Sequence, residues 1–174
     1  MTSPPVFQIC PLCGHPEPEH SLRGPGGRLL LFCPQCHLLF APQQDLPTPE
    51  QETIRYQQHQ NHLGDEGYRR FLLRLAVPVC RFLQPGANGL DFGCGPTPSL
   101  SRIMQDMGWA CQRFDPLFAP QTPSGIPFDF LLASECLEHM HQPLAGWQRM
   151  LSWTRPGSIL GFMTERWASD RDLT

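Results

Sequence analysis

The chain contains no lysine: all 13 of its basic residues other than histidine are arginine. Chemistry that needs a lysine base, a Schiff base or a phosphate-binding lysine is therefore excluded, including the nucleotide enzymes built on a Walker loop. A broadly basic surface is also missing. The formal net charge is -3 and the isoelectric point about 6.1, and the first 45 residues set Arg23 and Arg28 against Glu17, Glu19 and Asp45. Nucleic acid and anionic membranes are thus poor partners. No apolar run approaches the roughly 18 residues of a membrane span, and no basic-plus-apolar leader opens the sequence, so a cytoplasmic protein is expected. A disulfide framework fits poorly too. Four of the eight cysteines form two Cys-x-x-Cys pairs and the rest are scattered, a distribution that suits a reduced compartment and a metal.

Residues 1–43 are rich in proline, glycine and cysteine and carry no long amphipathic pattern. Cys10-x-x-Cys13 and Cys33-x-x-Cys36 are two knuckles, with the turn Gly24-Pro25-Gly26-Gly27 and the strand-like Leu29 to Phe32 between them. A two-residue gap lets both sulfurs of a pair face one ion, and four thiolates close a tetrahedral zinc shell. Such a site has no open position, so the zinc is expected to be structural, folding a module too small to be stabilised by apolar burial. His15, His20 and His37 lie nearby, but with four thiolates present they are not expected to be ligands.

A proline-rich joint from Ala41 to Pro49 leads into a polar stretch, Glu50 to Asn61, that can begin a helix. Between Gly67 and Leu83 the residues Phe71, Leu72, Leu75, Ala76, Val79, Phe82 and Leu83 recur at helical spacing, with a possible kink at Pro78. Residues 44–84 are read as a linker and helical lid. From 85 onward strands and helices alternate: a strand Gly89 to Phe92, a helix with Leu100, Ile103, Met104 and Met107 on one face, and a strand Ala110 to Phe114. A buried strand Phe128 to Ala133, a helix Glu135 to Trp153 and a strand Ser158 to Met163 after the turn Arg155-Pro156-Gly157 complete the pattern. The class predicted is α/β, a Rossmann-like and mostly parallel sheet, abbreviated by the loss of its last strands and preceded by a small zinc ribbon.

The turn after the first of these strands carries the most chemistry. Glycines at Gly93 and Gly95 let the backbone approach a ligand closely, and Asp115, at the end of the next strand, can accept hydrogen bonds from ribose hydroxyls. A dinucleotide site would want a small residue where Pro98 stands. Asp91, just before the turn, suits a ligand carrying ammonium and sulfonium groups and would repel a pyrophosphate.

These residues carry a family resemblance. Leu90-Asp91-Phe92-Gly93-Cys94-Gly95 resembles motif I of class I S-adenosylmethionine-dependent methyltransferases, and Phe114-Asp115-Pro116 resembles the acidic end of their second strand. Phe128 to His139 is similar to their fourth strand with its Glu-His signature, and Arg155-Pro156-Gly157-Ser158 to the turn before their fifth. With the cysteine knuckles and the Tyr56 to Tyr68 segment, the chain is similar to bacterial methyltransferases with an N-terminal zinc ribbon, a group that includes deoxysugar C-methyltransferases. The resemblance implies S-adenosylmethionine as methyl donor, held by Asp91, Gly93, Gly95, Asp115, Glu135 and Tyr56, and a methyltransferase domain over residues 85–174. The chain departs from the family in two places. Between Asp115 and Phe128 the proline-rich link leaves no room for the usual second helix and third strand, and the sequence stops at Thr174, which suggests a C-terminal truncation or a minimal domain.

Methyl transfer needs alignment and, for some acceptors, a base. His139 is the best candidate for that base, with Glu138 beside it; both residues serve equally well to brace the following helix. His141 is less favoured. Tyr56, His59, Asn61 and Tyr68 read either as a lid over the cofactor or as a solvated helix face. Cys94 reads as a small packing residue and Cys80, Cys111 and Cys136 as core. The acceptor is expected to be a small molecule. The rival reading is a methyltransferase-like protein that binds cofactor without turnover and uses its ribbon as an interaction module. RNA methylation guided by the ribbon is disfavoured by the missing basic charge. An exposed sheet edge would invite an oligomer.

Overall fold

The computed structural model describes residues 8–24, 27–58 and 64–164. Two compact units are present. Of the described residues, one unit holds the four cysteines and runs up to Pro47, with Met140–Gly146 grouped in it; the other comprises Thr48–His139 and the segment from Trp147 to Thr164.

In the first unit, β1 (Glu19–Arg23), β2 (Leu29–Phe32) and β3 (Leu39–Phe40) form an antiparallel sheet in the order β1-β2-β3. Both Cys-x-x-Cys turns are built alike. The Cys10 amide donates to the His15 carbonyl and the Gly14 amide to the Cys10 carbonyl, while Cys33 donates to Leu38 and His37 to Cys33. Gly14 and His37 occupy equivalent positions at φ 76° and 60°. The second knuckle thus carries its left-handed residue without a glycine, and the His37 ring lies against Phe32 with centroids 5.8 Å apart.

The second unit opens with α1 (Pro49–Gln58) and α2 (Glu66–Cys80). Asp65 caps α2, its carboxylate accepting from the amides of Gly67 and Tyr68. Helix α2 ends earlier than the apolar spacing predicts. Pro78 is accommodated inside it, but Phe82 lies beyond its end and is 65% exposed. His59 and Asn61 fall outside the described residues.

Four parallel strands follow, β4 (Asn88–Phe92), β5 (Ala110–Phe114), β6 (Phe128–Ser134) and β7 (Thr154–Met163), in the order β5-β4-β6-β7. Their connections include α3 (Ser99–Asp106) and α4 (Pro143–Ser152), which makes a Rossmann-like α/β fold. On one face, Leu72, Leu75 and Val79 of α2 and Leu100, Ile103 and Met104 of α3 close over Phe130 and Leu132. Gly161 permits this approach, since a Cβ there would meet Val79 Cγ2 at 2.7 Å and Leu132 Cδ2 at 2.9 Å. On the other face Phe92, Phe114 and Trp153 cluster, with Arg149 of α4 over the Phe114 ring.

Three details differ from the sequence reading. The helix expected from Glu135 to Trp153 is broken: Glu135 adopts φ 50°, Leu137–His139 form a single 3-10 turn, and α4 begins only at Pro143. Arg155-Pro156-Gly157 does not precede the last strand but lies within it, as an irregularity between the Phe128 and Phe130 pairings, with Gly157 at φ 90°. Met107 leaves the apolar face of α3 and is 39% exposed. The link from Asp115 to Phe128 is a loop, as its length requires. Gln112 ties it back to β5, donating to the Ser124 carbonyl and accepting from the Ser124 amide, and Gln105 donates to the Cys111 carbonyl.

Candidate functional site

In an open parallel sheet the ligand crevice lies where neighbouring strands send their connections to opposite faces, outside the strands' carboxyl ends. Here that point falls between β4 and β6. Strand β4 leads through Gly93-Cys94-Gly95 into α3 on one face, and β6 leads through Glu135 and the 3-10 turn toward α4 on the other.

The turn is fastened to β5. Gly93 and Cys94 both donate to the Phe114 carbonyl, at 2.8 and 3.2 Å, and Gly95 donates to Asp115 Oδ2 at 2.9 Å. Gly93 and Gly95 stand at φ 74° and 65°, where a side chain is strained. A Cβ on Gly95 would meet nothing within 4 Å, so this backbone faces open space. On Gly93 it would collide with Cys136, which fills the gap between the two strand ends. Asp115 is buried, and its Oδ1 accepts from Leu117 and Phe118 at 2.8 and 3.1 Å. One carboxylate thereby shapes both the glycine turn and the start of the loop after β5.

Asp91 is oriented differently from the expectation of a carboxylate at the mouth of the loop. It is 3% exposed, and its Oδ2 accepts from the Ser101 amide at 2.9 Å. Pro98 at the helix start offers no side-chain acceptor, so Asp91 takes over that role for α3 from the preceding strand. Burial pushes its pKa up to about 7, opposed by the Ser101 bonds and reinforced by Asp115. At neutral pH this group therefore changes charge readily.

Glu135 ends β6 in a left-handed conformation, its amide bound to the Met163 carbonyl. Strained residues of this kind concentrate at functional sites. Glu138 is exposed and His139 half-buried in the 3-10 turn beyond it. Tyr56 of α1 meets His139 edge-on, with centroids 5.9 Å apart and planes at 88°, and meets Phe118 at 6.3 Å and 89°. The structure thus brings together Tyr56, His139, Phe118 and Asp115. Burial pushes the Tyr56 phenol up to about 12, with Glu52, Cys136 and Asp115 adding to it and Arg55 opposing. Tyr68 of α2 is stacked on Phe71 and is raised by burial and then by Asp91 and Glu135. His141 belongs to the segment grouped with the first unit.

Cys94 and Cys136 are each raised to about 12, burial being the largest cause, so neither is a thiolate nucleophile. Cys111 is buried as expected, whereas Cys80 and Cys136 are only partly so. Sequence reasoning missed two residues of this crevice. Phe118 sits in a proline-rich loop without periodicity, and only the turn nucleated by Asp115 positions it. Cys136 reads as core from its apolar neighbours in sequence, but it is only partly buried and lies against Gly93.

Cys10, Cys13, Cys33 and Cys36 form the one group among the described residues with metal-ligand geometry, all four sulfurs lying within 4.8 Å of one another. Cys10 and Cys36, and likewise Cys13 and Cys33, are 3.5 Å apart. Tetrahedral thiolates about 2.3 Å from a zinc ion stand roughly 3.8 Å from each other, so the donor set fits. His15 instead contacts Gln35, at 3.1 Å.

A parallel sheet with a glycine turn at its switch point and an acid closing the next strand defines the Rossmann-like class. Residues 56–174 match the family described as a methyltransferase domain, a stretch that includes the whole parallel sheet and excludes the four cysteines. The chain belongs to that family. A comparison with curated proteins finds no match. Among the described residues no helix is long and apolar enough to cross a membrane.

Proposed function

We propose that the protein transfers a methyl group from S-adenosylmethionine to a small-molecule acceptor. The observation that carries this reading is the glycine turn, left-handed at Gly93 and Gly95, held by Asp115 and open at Gly95, where a Cβ would find no neighbour. Bound there, the cofactor supplies an electrophilic methyl on a sulfonium. The open backbone at Gly95 would admit its amino-acid end. Asp115 has about one lone pair left for a ribose hydroxyl after accepting its three amides. Glu135 brings negative charge toward a cationic ligand, while the buried Asp91 acts from behind the turn by capping α3. Tyr56 and Phe118 shield the crevice from water, and His139, with Glu138 beside it, takes a proton from the acceptor. Residues 44–84 act as linker and lid, residues 85–174 as the catalytic domain, and residues 1–43 as a zinc ribbon whose single ion is structural.

The test is calorimetric titration of the zinc-loaded protein with S-adenosylmethionine and, separately, with S-adenosylhomocysteine. Micromolar binding of both supports the reading; no heat up to millimolar ligand by a folded protein rejects it.

A further inference from the structure

The family leaves the acceptor open, but the walls of the crevice narrow its chemistry. Tyr56, Phe118 and His139 come from three separate segments, α1, the loop after β5 and the turn after β6. Phe118 and His139 each stand at a right angle to Tyr56, at 89° and 88°. Rings at right angles to Tyr56, with centroids about 6 Å from it, can form walls around a corner of the kind that receives an alkylated ammonium. Each wall also has an acid on its own segment. Glu52 lies one turn before Tyr56 on α1, Asp115 fixes the turn holding Phe118, and Glu138 precedes His139. With one exception, the charged groups near Tyr56 and Cys136 have the same sign. Apart from Arg55, the charges acting on them, Glu52, Asp115, Asp91 and Glu138, are negative.

Resting on the methyltransferase reading of this same crevice, we infer that the acceptor is an aliphatic amine, with its nitrogen received by the rings of Tyr56, Phe118 and His139 among these carboxylates. Anionic acceptors such as phosphorylated sugars, carboxylates and nucleic acids are repelled. The amine enters as its ammonium and gives a proton to the His139 imidazole. Its freed lone pair forms the nitrogen–carbon bond as the carbon–sulfur bond breaks, and the electron pair of that bond stays on sulfur. Positive charge thus moves from sulfonium to nitrogen, where the Tyr56 and Phe118 rings and the carboxylates stabilise it as it develops, Glu138 offsetting the His139 imidazolium.

Three probes of one shape and different charge test this: tetramethylammonium, neopentyl alcohol and pivalate, titrated into protein saturated with S-adenosylhomocysteine. Tetramethylammonium is expected to bind at least about tenfold more tightly than neopentyl alcohol, with pivalate the weakest. Tyr56→Leu and Phe118→Leu should each cost about tenfold in tetramethylammonium affinity, and more than either costs in affinity for S-adenosylhomocysteine. Phe118→Tyr, which keeps a ring, should retain binding of the cation and shows that the position tolerates change. Equal or tighter binding of neopentyl alcohol overturns the inference, as does a Phe118→Leu variant that loses S-adenosylhomocysteine more than the cation. Either result leaves the methyltransferase reading standing. Failure of S-adenosylhomocysteine itself to bind overturns both.

Discussion

Gly93 and Cys136 occupy adjoining space so closely that a Cβ on the glycine would fall 2.8 Å from Cys136 Cβ and nearer still to its sulfur. The contact joins the end of β4 to the residue that follows β6 and its strained Glu135. Two separate penalties therefore oppose Gly93→Ala: overpacking against Cys136, and an L-residue at φ 74°. Together they should destabilise the fold by roughly 2–4 kcal/mol in urea unfolding. Adding Cys136→Ala removes the sulfur from that clash, which leaves the Cβ contact and the second penalty. The double variant should therefore show a coupling of about 1 kcal/mol or more, and a strictly additive result would refute the contact.

Asp91 makes stability depend on pH in an unusual direction. Its folded pKa of about 7 lies above the ordinary 3.8, so between those values the native state holds a proton that the unfolded chain has released. Stability is then fullest below about pH 4 as far as this group is concerned, and it falls as pH rises to about 7, by on the order of a few kcal/mol. Asp91→Asn keeps an acceptor for the Ser101 amide and carries no charge. Thermal unfolding from pH 5 to 8 should show a smaller decline for the variant than for the parent, and parallel curves would count against this.

Asp115 accepts from Gly95, Leu117 and Phe118, so its truncation frees three amides and releases both the glycine turn and Phe118. Asp115→Ala should cost about 1–3 kcal/mol of stability. Because the same turn is assigned to the cofactor, affinity for S-adenosylmethionine should fall at least about tenfold more than in Asp115→Asn, which retains one acceptor oxygen. Paired calorimetry of the two variants decides the point.

Four thiolates on one ion predict one zinc per chain in elemental analysis. Stripping it with a strong chelator should expose the four thiols to a thiol reagent. It should also speed hydrogen exchange at the Cys33 and His37 amides, which close the second knuckle. Cys33→Ser should lower metal content; unchanged content would assign the zinc elsewhere.

Where chemistry and local pattern agree, the sequence is readable. The apolar run from Phe128, the glycines at 93 and 95 and the acid closing β5 specify strand, turn and strand with little outside help, and the Cys-x-x-Cys spacing specifies its own geometry. What escapes is direction and distance. Nothing local indicates that Asp91 turns inward to cap a helix whose start, Pro98, has no side-chain acceptor. Helical spacing from Glu135 to Trp153 conceals a break, because the left-handed Glu135 is imposed by the tertiary fit at the end of β6. Phe118 and Tyr56 lie far apart in the chain, so only the fold brings their rings together.

The side chains of Gln105 and Gln112 have a consequence for how the protein behaves in a crowd. An outermost strand offers its peptide groups to any extended polypeptide that drifts alongside, which is how templated assembly begins. Gln112 engages Ser124 through both its amide donor and its acceptor, imitating the peptide link of a neighbouring strand, while Gln105 takes the Cys111 carbonyl. Gln105 thus occupies one peptide carbonyl of β5, and Gln112 holds the following loop beside the strand at Ser124. Replacing either with a β-branched apolar residue would trade that protection for stickiness on the flank of β5.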